Sequence, residues 1–387
     1  MAKSHFSKVK VSGLSVVVPD YMHSADEALE EFFDGNPAKL ARAKKQVGLG
    51  TRYVAPEGCT TTDICEAAAR RLIEGMGLDP AEIDALVFVV QYPDHINPGS
   101  GFVMHRRLNL PPSCAVVDIN HGCPGYVYGL WVASSMVESG ACRKVLLLAG
   151  DLYPHQFPAM KSPKKSHSAA KLMFGDGGSA ALVEADPQGR DSYFVMGADG
   201  QGLEALIVPA GGARLPVGHD VLDLFFNDRQ GQPYNLTLNY MNAMAVYNFS
   251  VTVPPASIAE LLEYSGLRLD EIDFAAIHQA NKQIVDSVAA KAGLKPEQYS
   301  TATFSTYGNQ STTSLPSGIA HLLADKISSG RQKVMLCGFG VGLAWGSAVV
   351  DLDHIYCPGI IAEKFENIRS REEEIAYWMQ QLGEAKK

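Results

Sequence analysis

The sequence lacks the features that mark several classes of protein. No apolar run approaches the roughly 20 residues that span a bilayer, and residues 1–13 are polar and basic rather than a signal peptide. We therefore expect a cytoplasmic protein with no membrane span. A basic excess is also absent, since 33 Lys and Arg against 42 Asp and Glu give a net charge of −9. Because nucleic-acid phosphates need a broad basic surface, nucleic acid is not an expected partner.

The cysteines show neither a CxxC pair nor a Cys/His spacing of the kind that binds zinc. We therefore expect seven reduced thiols and no metal site. The seven are Cys59, Cys65, Cys114, Cys123, Cys142, Cys337 and Cys357.

The composition is that of a chain with a large core. Of its 387 residues, 46% are hydrophobic and only 19% are charged. This length suits two domains of roughly 150 to 200 residues each, and the apolar content argues against a disordered or coiled-coil chain.

An internal duplication is the main organising feature. The stretch GLDPAEID ends at Asp84 before an apolar run, and GLRLDEID ends at Asp273 before another. Asp84 precedes Lys144 by 60 residues and Asp273 precedes Lys333 by 60, so the two copies are offset by 189. Each copy closes with a Gly-Ser-Ala strand, and the shorter offset there, 168, predicts an extra loop of about 21 residues within 151–177 of the first copy.

The predicted fold class is α/β, with two βαβαβαββ halves. The strands at 85–90, 115–119, 145–149, 274–277 and 334–337 are continuous apolar runs, as expected when helices cover both faces of a sheet. Two such units bury their helices by packing together in an αβαβα arrangement with a pseudo-twofold axis. We expect a first half over 1–190, a second half over 191–352 and a helical extension over 353–387.

Cys123 is the candidate nucleophile. It follows the strand 115–119 in a turn that leads directly into an apolar helix, with Pro124 suited to the first helical position. A thiol at a helix N-terminus feels the positive end of the dipole, which lowers its pKa. The alternatives are a buried, inert cysteine and, for its base, His121 in the same turn.

Two residues of the second half complete the candidate site. His278 ends the strand 274–277, and Asn309 lies in the polar loop 307–314. Each alone also fits a structural role, as a hydrogen-bonded core histidine or a turn residue. However, the 189 offset takes Cys123 to position 312, so Asn309 lies within three residues of its symmetry mate. A thiol, an imidazole and an amide in one cleft suit covalent acyl transfer.

With these residues, the sequence resembles the thiolase superfamily, and within it the condensing enzymes of the 3-oxoacyl-[acyl-carrier-protein] synthase III type. The matching motifs occur in the family's order over residues 8–352. They are VGLGTRY at 47–53, GCPGY at 122–126, FGDGGS at 174–179, HQAN at 278–281, GNQS at 308–311 and GFGVGLAWGSA at 338–348.

The resemblance implies a mechanism for these residues. Cys123 is acylated by a thioester, and His278 and Asn309 bind the thioester carbonyl of a malonyl donor so that decarboxylation is favoured. The oxyanion at the acyl carbon meets backbone N–H groups of Cys123 and of the segment 338–342, with Phe339 and Gly340 lining the site. The resemblance implies a homodimer and requires no metal or redox cofactor.

The implied partners are an acyl carrier protein or acyl-CoA thioester and a malonyl-carrier protein. Enzymes of this type that prime from acyl-CoA often stack the adenine between Trp and Arg, yet residues 32–45 contain no Trp. Two lysine clusters, around Lys44 and Lys45 and around Lys164 and Lys165, are candidates for docking a phosphopantetheine phosphate or an acidic carrier. Solvated loop lysines are the alternative.

Decarboxylative condensation is the leading hypothesis for function. One alternative is an acyltransferase that moves the acyl group from Cys123 to an oxygen or nitrogen nucleophile, with His278 as base. Another is a non-catalytic subunit of a heteromeric synthase, although such a subunit has no need of an intact set of Cys123, His278 and Asn309.

The C-terminal tail carries apolar residues on one helical face. They are Ile368, Ile375, Trp378, Met379 and Leu382. This pattern predicts a helix that docks on its own body or on a partner.

Overall fold

The computed structural model describes residues 1–152, 170–229, 231, 233–366 and 368–383. The strands are β1 (Ala2–Phe6), β2 (Val9–Pro19), β3 (Met22–Ser24), β4 (Thr51–Tyr53), β5 (Ala85–Val89), β6 (Ala115–Ile119), β7 (Lys144–Asp151), β8 (Gly177–Ala185), β9 (Ser192–Ala198), β10 (Leu206–Ile207), β11 (Phe226–Asn227), β12 (Pro233–Tyr234), β13 (Tyr240–Met241), β14 (Phe274–Ile277), β15 (Arg331–Gly340), β16 (Ala344–Asp353) and β17 (Ile360–Glu363).

The α-helices include six that build the layers around the sheets, together with shorter peripheral ones. They are α1 (Leu29–Phe33), α2 (Pro37–Val47), α3 (Thr61–Met76), α4 (Ser100–Arg107), α5 (Gly125–Glu138), α6 (Ala170–Met173), α7 (His219–Leu222), α8 (Ala243–Ser250), α9 (Val253–Ser265), α10 (Lys282–Ala292), α11 (Ala302–Tyr307), α12 (Ser314–Ser329) and α13 (Arg371–Leu382). Within the described part of the chain, no helix has the length and apolar character that crossing a membrane demands.

Two sheets form the body of the molecule. The first has the strand order β17-β2-β8-β7-β5-β6, and the second has the order β1-β9-β16-β15-β14. In both, a parallel pair (β5 with β7, β14 with β15) is followed by an antiparallel neighbour (β8, β16). The repeated order reproduces the predicted duplication.

Helices separate and cover these sheets. The largest core cluster joins α5 and α12 to the facing sides of both sheets through residues such as Val87, Leu130, Leu315 and Leu336. A second cluster packs α3 and α4 on the outer face of the first sheet, and a third packs α9 and α10 on the outer face of the second. The layers are therefore α, β, α, β, α, and the predicted fold class is confirmed.

The two halves exchange their edge strands. β1 pairs with β9 of the second sheet, whereas β17 pairs with β2 of the first. The expected boundary at residue 190 falls in the connection between β8 and β9. The edge strands β1 and β17 each pair with a strand on the other side of this boundary. Consequently, the tail beyond residue 352 contains the strand β17 as well as the expected helix.

The predicted tail helix is present as α13, which starts at a capping box between Ser370 and Glu373. Ile368 lies before α13 rather than on its predicted apolar face, and it packs on the outer core of the first sheet. The helix itself contacts the body through an edge contact between Trp378 and His95. Met379 and Leu382 stay 70% and 79% exposed, so much of the apolar face is open.

Candidate active site

The turn between β6 and α5 carries Cys123, as the sequence predicted. Cys123 directly precedes Pro124, the N-cap of α5, and is only 8% exposed. All seven cysteines are free thiols. Glycines allow the second half to approach this turn, because a Cβ at Gly338 would lie 2.9 Å from Cα of Pro124, and one at Gly340 would lie 2.7 Å from Cβ of Cys123.

A loop of the second half reaches the sulfur. Residues 308–311 lead from α11 into a short 3-10 helix, Ser311–Thr313, and then into α12. Ser311 adopts a left-handed backbone with φ of 49°, uncommon for a residue other than glycine. Its hydroxyl oxygen lies 3.7 Å from the sulfur of Cys123. The two halves thus meet at the candidate nucleophile.

Asn309 is held in a defined orientation in the same loop. Its backbone N–H donates to the carbonyl of Met173 at 2.7 Å, and its side-chain oxygen accepts the N–H of Ser311 at 2.9 Å. Because the oxygen is occupied, the amide nitrogen is the atom left to donate to a bound molecule.

His278 lies at the end of β14, where its backbone N–H donates to the carbonyl of Cys337 at 2.9 Å. Its ring packs edge-on against Phe339, with centroids 5.4 Å apart. Nδ1 is buried and has no hydrogen-bond partner in the part of the chain that the structure describes. Burial lowers the pKa of His278 to about 3, so the imidazole is neutral at physiological pH.

Backbone donors surround the sulfur. The N–H groups of Val341 and of Cys123 itself face it and favour its thiolate form. Backbone N–H groups beside a nucleophile can stabilise an oxyanion where they point at the oxygen of the tetrahedral intermediate. Val341 belongs to the segment 338–342, in which Gly340 allows the close approach to Cys123 and Phe339 packs against His278.

The prediction of a lowered thiol pKa is wrong for the resting protein. Burial raises the pKa of Cys123 to about 11, and the nearby carboxylate of Asp151 adds to the rise. Desolvation of the thiolate thus outweighs the stabilising groups. His121 has a pKa lowered to about 4 by burial, and its ring packs on Tyr128 at 4.2 Å.

Sequence reasoning missed a polar network behind the nucleophile. It contains Asp151 at the end of β7, Gln91 after β5, and Ser311 and Thr312 of the second half. The strand-end position of Asp151 and Gln91 was a usable signal, since polar residues that end parallel strands gather at one edge.

A cavity of about 300 Å³ adjoins this turn. Gln91, Asn120, His121, Gly122 and the segment 341–344 line it. Because Gly122 and Val341 flank the sulfur, a group attached to Cys123 has space beside the turn.

One of the four candidate docking lysines, Lys44, is paired with a carboxylate. Lys44 contacts both carboxylate oxygens of Asp26 at 2.7 Å, and Lys39 pairs with Asp34 at 2.7 Å. Lys45 is exposed. Lys164 and Lys165 lie outside the described residues.

Known proteins are similar to this chain in sequence and fold. A family profile described as 3-oxoacyl-[acyl-carrier-protein (ACP)] synthase III matches residues 117–200, and its C-terminal counterpart matches residues 262–352. A putative 3-oxoacyl-[acyl-carrier-protein] synthase 3 of Campylobacter jejuni is 34% identical over 93% of this chain and 98% of its own length. A beta-ketoacyl-[acyl-carrier-protein] synthase III of a Roseiflexus species is 32% identical over 79% of this chain and 88% of its own.

Solved structures agree with this assignment. The crystal structure of a 3-oxoacyl-(acyl-carrier protein) synthase from Burkholderia xenovorans superimposes with a TM-score of 0.83 at 30% identity, covering 94% of this chain and 99% of the other. The chain therefore belongs to the 3-oxoacyl-[acyl-carrier-protein] synthase III family of the thiolase superfamily and is a condensing acyltransferase of that type.

Proposed function

We propose that Cys123 accepts an acyl group from a thioester as the first half-reaction. The sulfur attacks the thioester carbonyl, and the oxyanion accepts hydrogen bonds from the N–H groups of Cys123 and Val341. The thiol part of the acyl donor then leaves. The observation that carries this proposal is the convergence of these two donors and the Ser311 hydroxyl on one buried sulfur.

The second half-reaction is a decarboxylative condensation with a malonyl thioester. His278 and the amide nitrogen of Asn309 donate hydrogen bonds to the thioester carbonyl. When carbon dioxide leaves, the negative charge that stays on the donor is delocalised onto this carbonyl oxygen, which the two hydrogen bonds stabilise. The carbanion then attacks the acyl carbonyl on Cys123, and the bond between this carbonyl carbon and the sulfur breaks. The product is a 3-oxoacyl thioester. A neutral His278 suits this role, because a neutral ring keeps one N–H to donate.

Acyl transfer to an oxygen or nitrogen nucleophile is less consistent with the site. It needs His278 as a general base, yet a pKa of about 3 makes the ring a weak proton acceptor at neutral pH. A purely structural subunit is also disfavoured, since it has no need of an ordered set of donors.

The proposed substrates are thioesters of an acyl carrier protein or of CoA for loading and malonyl-carrier protein for condensation. Lys45 is the exposed candidate of the first lysine cluster and suits contact with an acidic carrier, whereas Lys44 is held by Asp26. Lys164 and Lys165 remain candidates from the sequence alone.

We also propose a homodimer formed along β6. This strand ends the first sheet and has β5 as its one strand neighbour within the described residues. Ala115 and Asp118 on it are exposed, and Phe102 on the adjoining helix α4 is 54% exposed. An open edge with apolar neighbours suits pairing with a second copy. Light scattering of the purified protein tests this state, and cell fractionation tests the expected cytoplasmic location.

The experiment on function separates the two half-reactions. Incubation with acyl thioesters followed by intact mass measurement reports acylation, and malonyl-carrier protein added afterwards reports carbon dioxide and 3-oxoacyl product. We expect both. Acylation without carbon dioxide release favours the acyltransferase, and failure of every thioester to acylate Cys123 excludes both enzyme hypotheses.

A further inference from the structure

The backbone of Asn309 is bound to the first half through both of its polar groups. Its N–H donates to the carbonyl of Met173 at 2.7 Å, and its carbonyl accepts the N–H of Gly175 at 3.2 Å. Phe174, which lies between these two residues, forms a parallel bridge with Asn309. The position of this second-half residue therefore depends on where the segment 173–175 of the first half lies.

The end of the strand β4 fixes the segment 173–175. Asp176, the residue that follows this segment, is fully buried. Its backbone N–H donates to the carbonyl of Tyr53 at 2.8 Å, and its carboxylate accepts the N–H of Ala55 at 2.8 Å. The segment that holds the backbone of Asn309 is thus itself bound to β4 and to the chain that follows β4.

Thr51 of β4 caps the short helix that leads to Asn309. Its hydroxyl donates to the carbonyl of Thr306 at 2.7 Å. The helix α11 ends at Tyr307, and the last carbonyls of a helix have no N–H partner within it. Thr51 supplies such a partner from a position 255 residues away in the sequence. A residue of the first half therefore stabilises the last helical turn before Asn309.

Two further contacts keep β4 and the residues before it against the last turn of α11. The ring of Tyr53 stacks on the ring of Tyr307, with centroids 5.4 Å apart and planes inclined by 27°. Gly50 lies so close to Ser305 that a Cβ at position 50 would be 2.0 Å from the carbonyl oxygen of Ser305. The close packing leaves no space for this turn to move toward β4.

These contacts join Asn309 to β4 by two routes. One runs through the last turn of α11, and the other runs through the segment 173–175. The side-chain oxygen of Asn309 is held by the N–H of Ser311 at 2.9 Å, so the position of the backbone sets the direction of the amide nitrogen. A donor in an active site needs to lie within about 0.5 Å of its productive position. Contacts that fix the backbone of Asn309 therefore bear on its chemistry.

We propose that Thr51 is a positioning residue for Asn309 in the condensation step. Its hydroxyl holds the last turn of α11, and through this turn it sets the direction in which the Asn309 amide donates to the thioester carbonyl of the malonyl donor. Acyl loading relies instead on the N–H groups of Cys123 and Val341, which belong to other segments. The inference rests on the proposed role of Asn309, so its test includes a measurement that needs no substrate.

The test on activity compares Thr51→Val, which removes the hydroxyl at nearly constant shape, with Thr51→Ser, which keeps it. Acylation is measured by intact mass, and carbon dioxide release is measured with preacylated enzyme. In Thr51→Val we expect acylation close to normal and decarboxylation slowed about tenfold, because a donor displaced by a distant change loses much of its effect. Thr51→Ser should restore the rate. Thermal melting checks the fold, and Thr51→Ala carries the test if Thr51→Val does not fold.

Thr306→Val is the matched control, because its hydroxyl bonds the carbonyl of Ala302 within α11 while its own carbonyl stays in place for Thr51. It should decarboxylate normally. A double variant tests whether Thr51 acts through Asn309. In Asn309→Asp the amide donor is already lost, so adding Thr51→Val should slow decarboxylation no further. The same tenfold loss in both backgrounds, or equal loss of acylation and decarboxylation in Thr51→Val, would overturn the positioning role.

Hydrogen exchange of the backbone amides tests the same role without any substrate. The N–H of Gly308 donates to the carbonyl of Phe304, and that of Asn309 donates to Met173. Both should lose protection in Thr51→Val and keep it in Thr306→Val, since opening of the last turn of α11 exposes them. Unchanged protection in Thr51→Val would overturn the positioning role. Lost protection in a protein that decarboxylates no malonyl thioester would support it and refute only the proposed function.

Discussion

Gly340 and Cys123 are in such close contact that a Cβ at position 340 would lie 2.9 Å from the sulfur. That distance is shorter than any normal carbon–sulfur contact, so a side chain there displaces the nucleophile or its turn. The strand β15 thus brings the second half against the sulfur because residue 340 has no side chain.

Gly340→Ala should abolish acylation of Cys123 while the protein stays folded. Acylation by thioester is measured by intact mass, beside a thermal melt. Gly318→Ala is the control, because nothing lies within 4 Å of its added Cβ and alanine in a helix is favoured by about 1 kcal/mol. Normal acylation of Gly340→Ala would show that the contact is not needed.

Asn309→Asp should separate the two roles of this side chain. The carboxylate keeps an oxygen for the N–H of Ser311 but removes the amide donor. We expect near-normal acylation and decarboxylation slowed by about 10²-fold, the usual cost of losing one such donor. Asn309→Ala, which also releases Ser311, should impair both steps to some extent. Equal loss of both steps in Asn309→Asp would exclude the donor role.

The pH dependence of decarboxylation should show no histidine step near neutrality. Burial lowers the pKa of His278 to about 3, so its ring stays neutral as pH falls from 8 to 5 and becomes charged only in stronger acid. The measurement is carbon dioxide release by preacylated enzyme across this range. A loss of rate centred near pH 6.5 that disappears in His278→Asn would contradict a neutral ring.

Acid stability should follow from the same shift. The unfolded chain binds a proton at this histidine near pH 6.5 and the native protein does not until about pH 3. The free energy of unfolding therefore falls as pH decreases through this window. Urea titrations at pH 7 and 4.5 should show a smaller drop for His278→Asn than for the unaltered protein, and an equal drop would indicate that another group causes it.

If an acidic carrier docks at Lys45, reversing the charge of this residue should affect KM only for the substrate attached to a carrier protein. Lys45→Glu should raise KM for malonyl-carrier protein and leave KM for malonyl-pantetheine unchanged, because only the carrier presents an acidic surface. Lys39→Glu on the same helix is the control, since Lys39 is already paired with Asp34. Identical KM values for the carrier in Lys45→Glu and the unaltered protein would place docking elsewhere.

Local patterns were enough to predict the central strands β5, β6, β7, β14 and β15 and the duplicated plan. β6 has the predicted bounds, and the ends of β6 and β14 lead to Cys123 and His278 as expected. The exchange of β1 and β17 was not predictable, because edge pairing depends on which distant strands meet. The network behind Cys123 was also missed, since Gln91 joins Asp151 and Ser311 across 60 and 220 residues. Likewise, the sequence did not indicate the ion pair between Lys44 and Asp26, because the two residues lie 18 positions apart.

The most direct test of the central claim is the mass of the intact protein after incubation with acyl thioesters, followed by addition of malonyl-carrier protein. The account predicts one acyl group per chain, absent from Cys123→Ala, then its loss with release of carbon dioxide and formation of a 3-oxoacyl thioester. An acyl group that forms equally in Cys123→Ala, or that remains on the enzyme without carbon dioxide release, would contradict it.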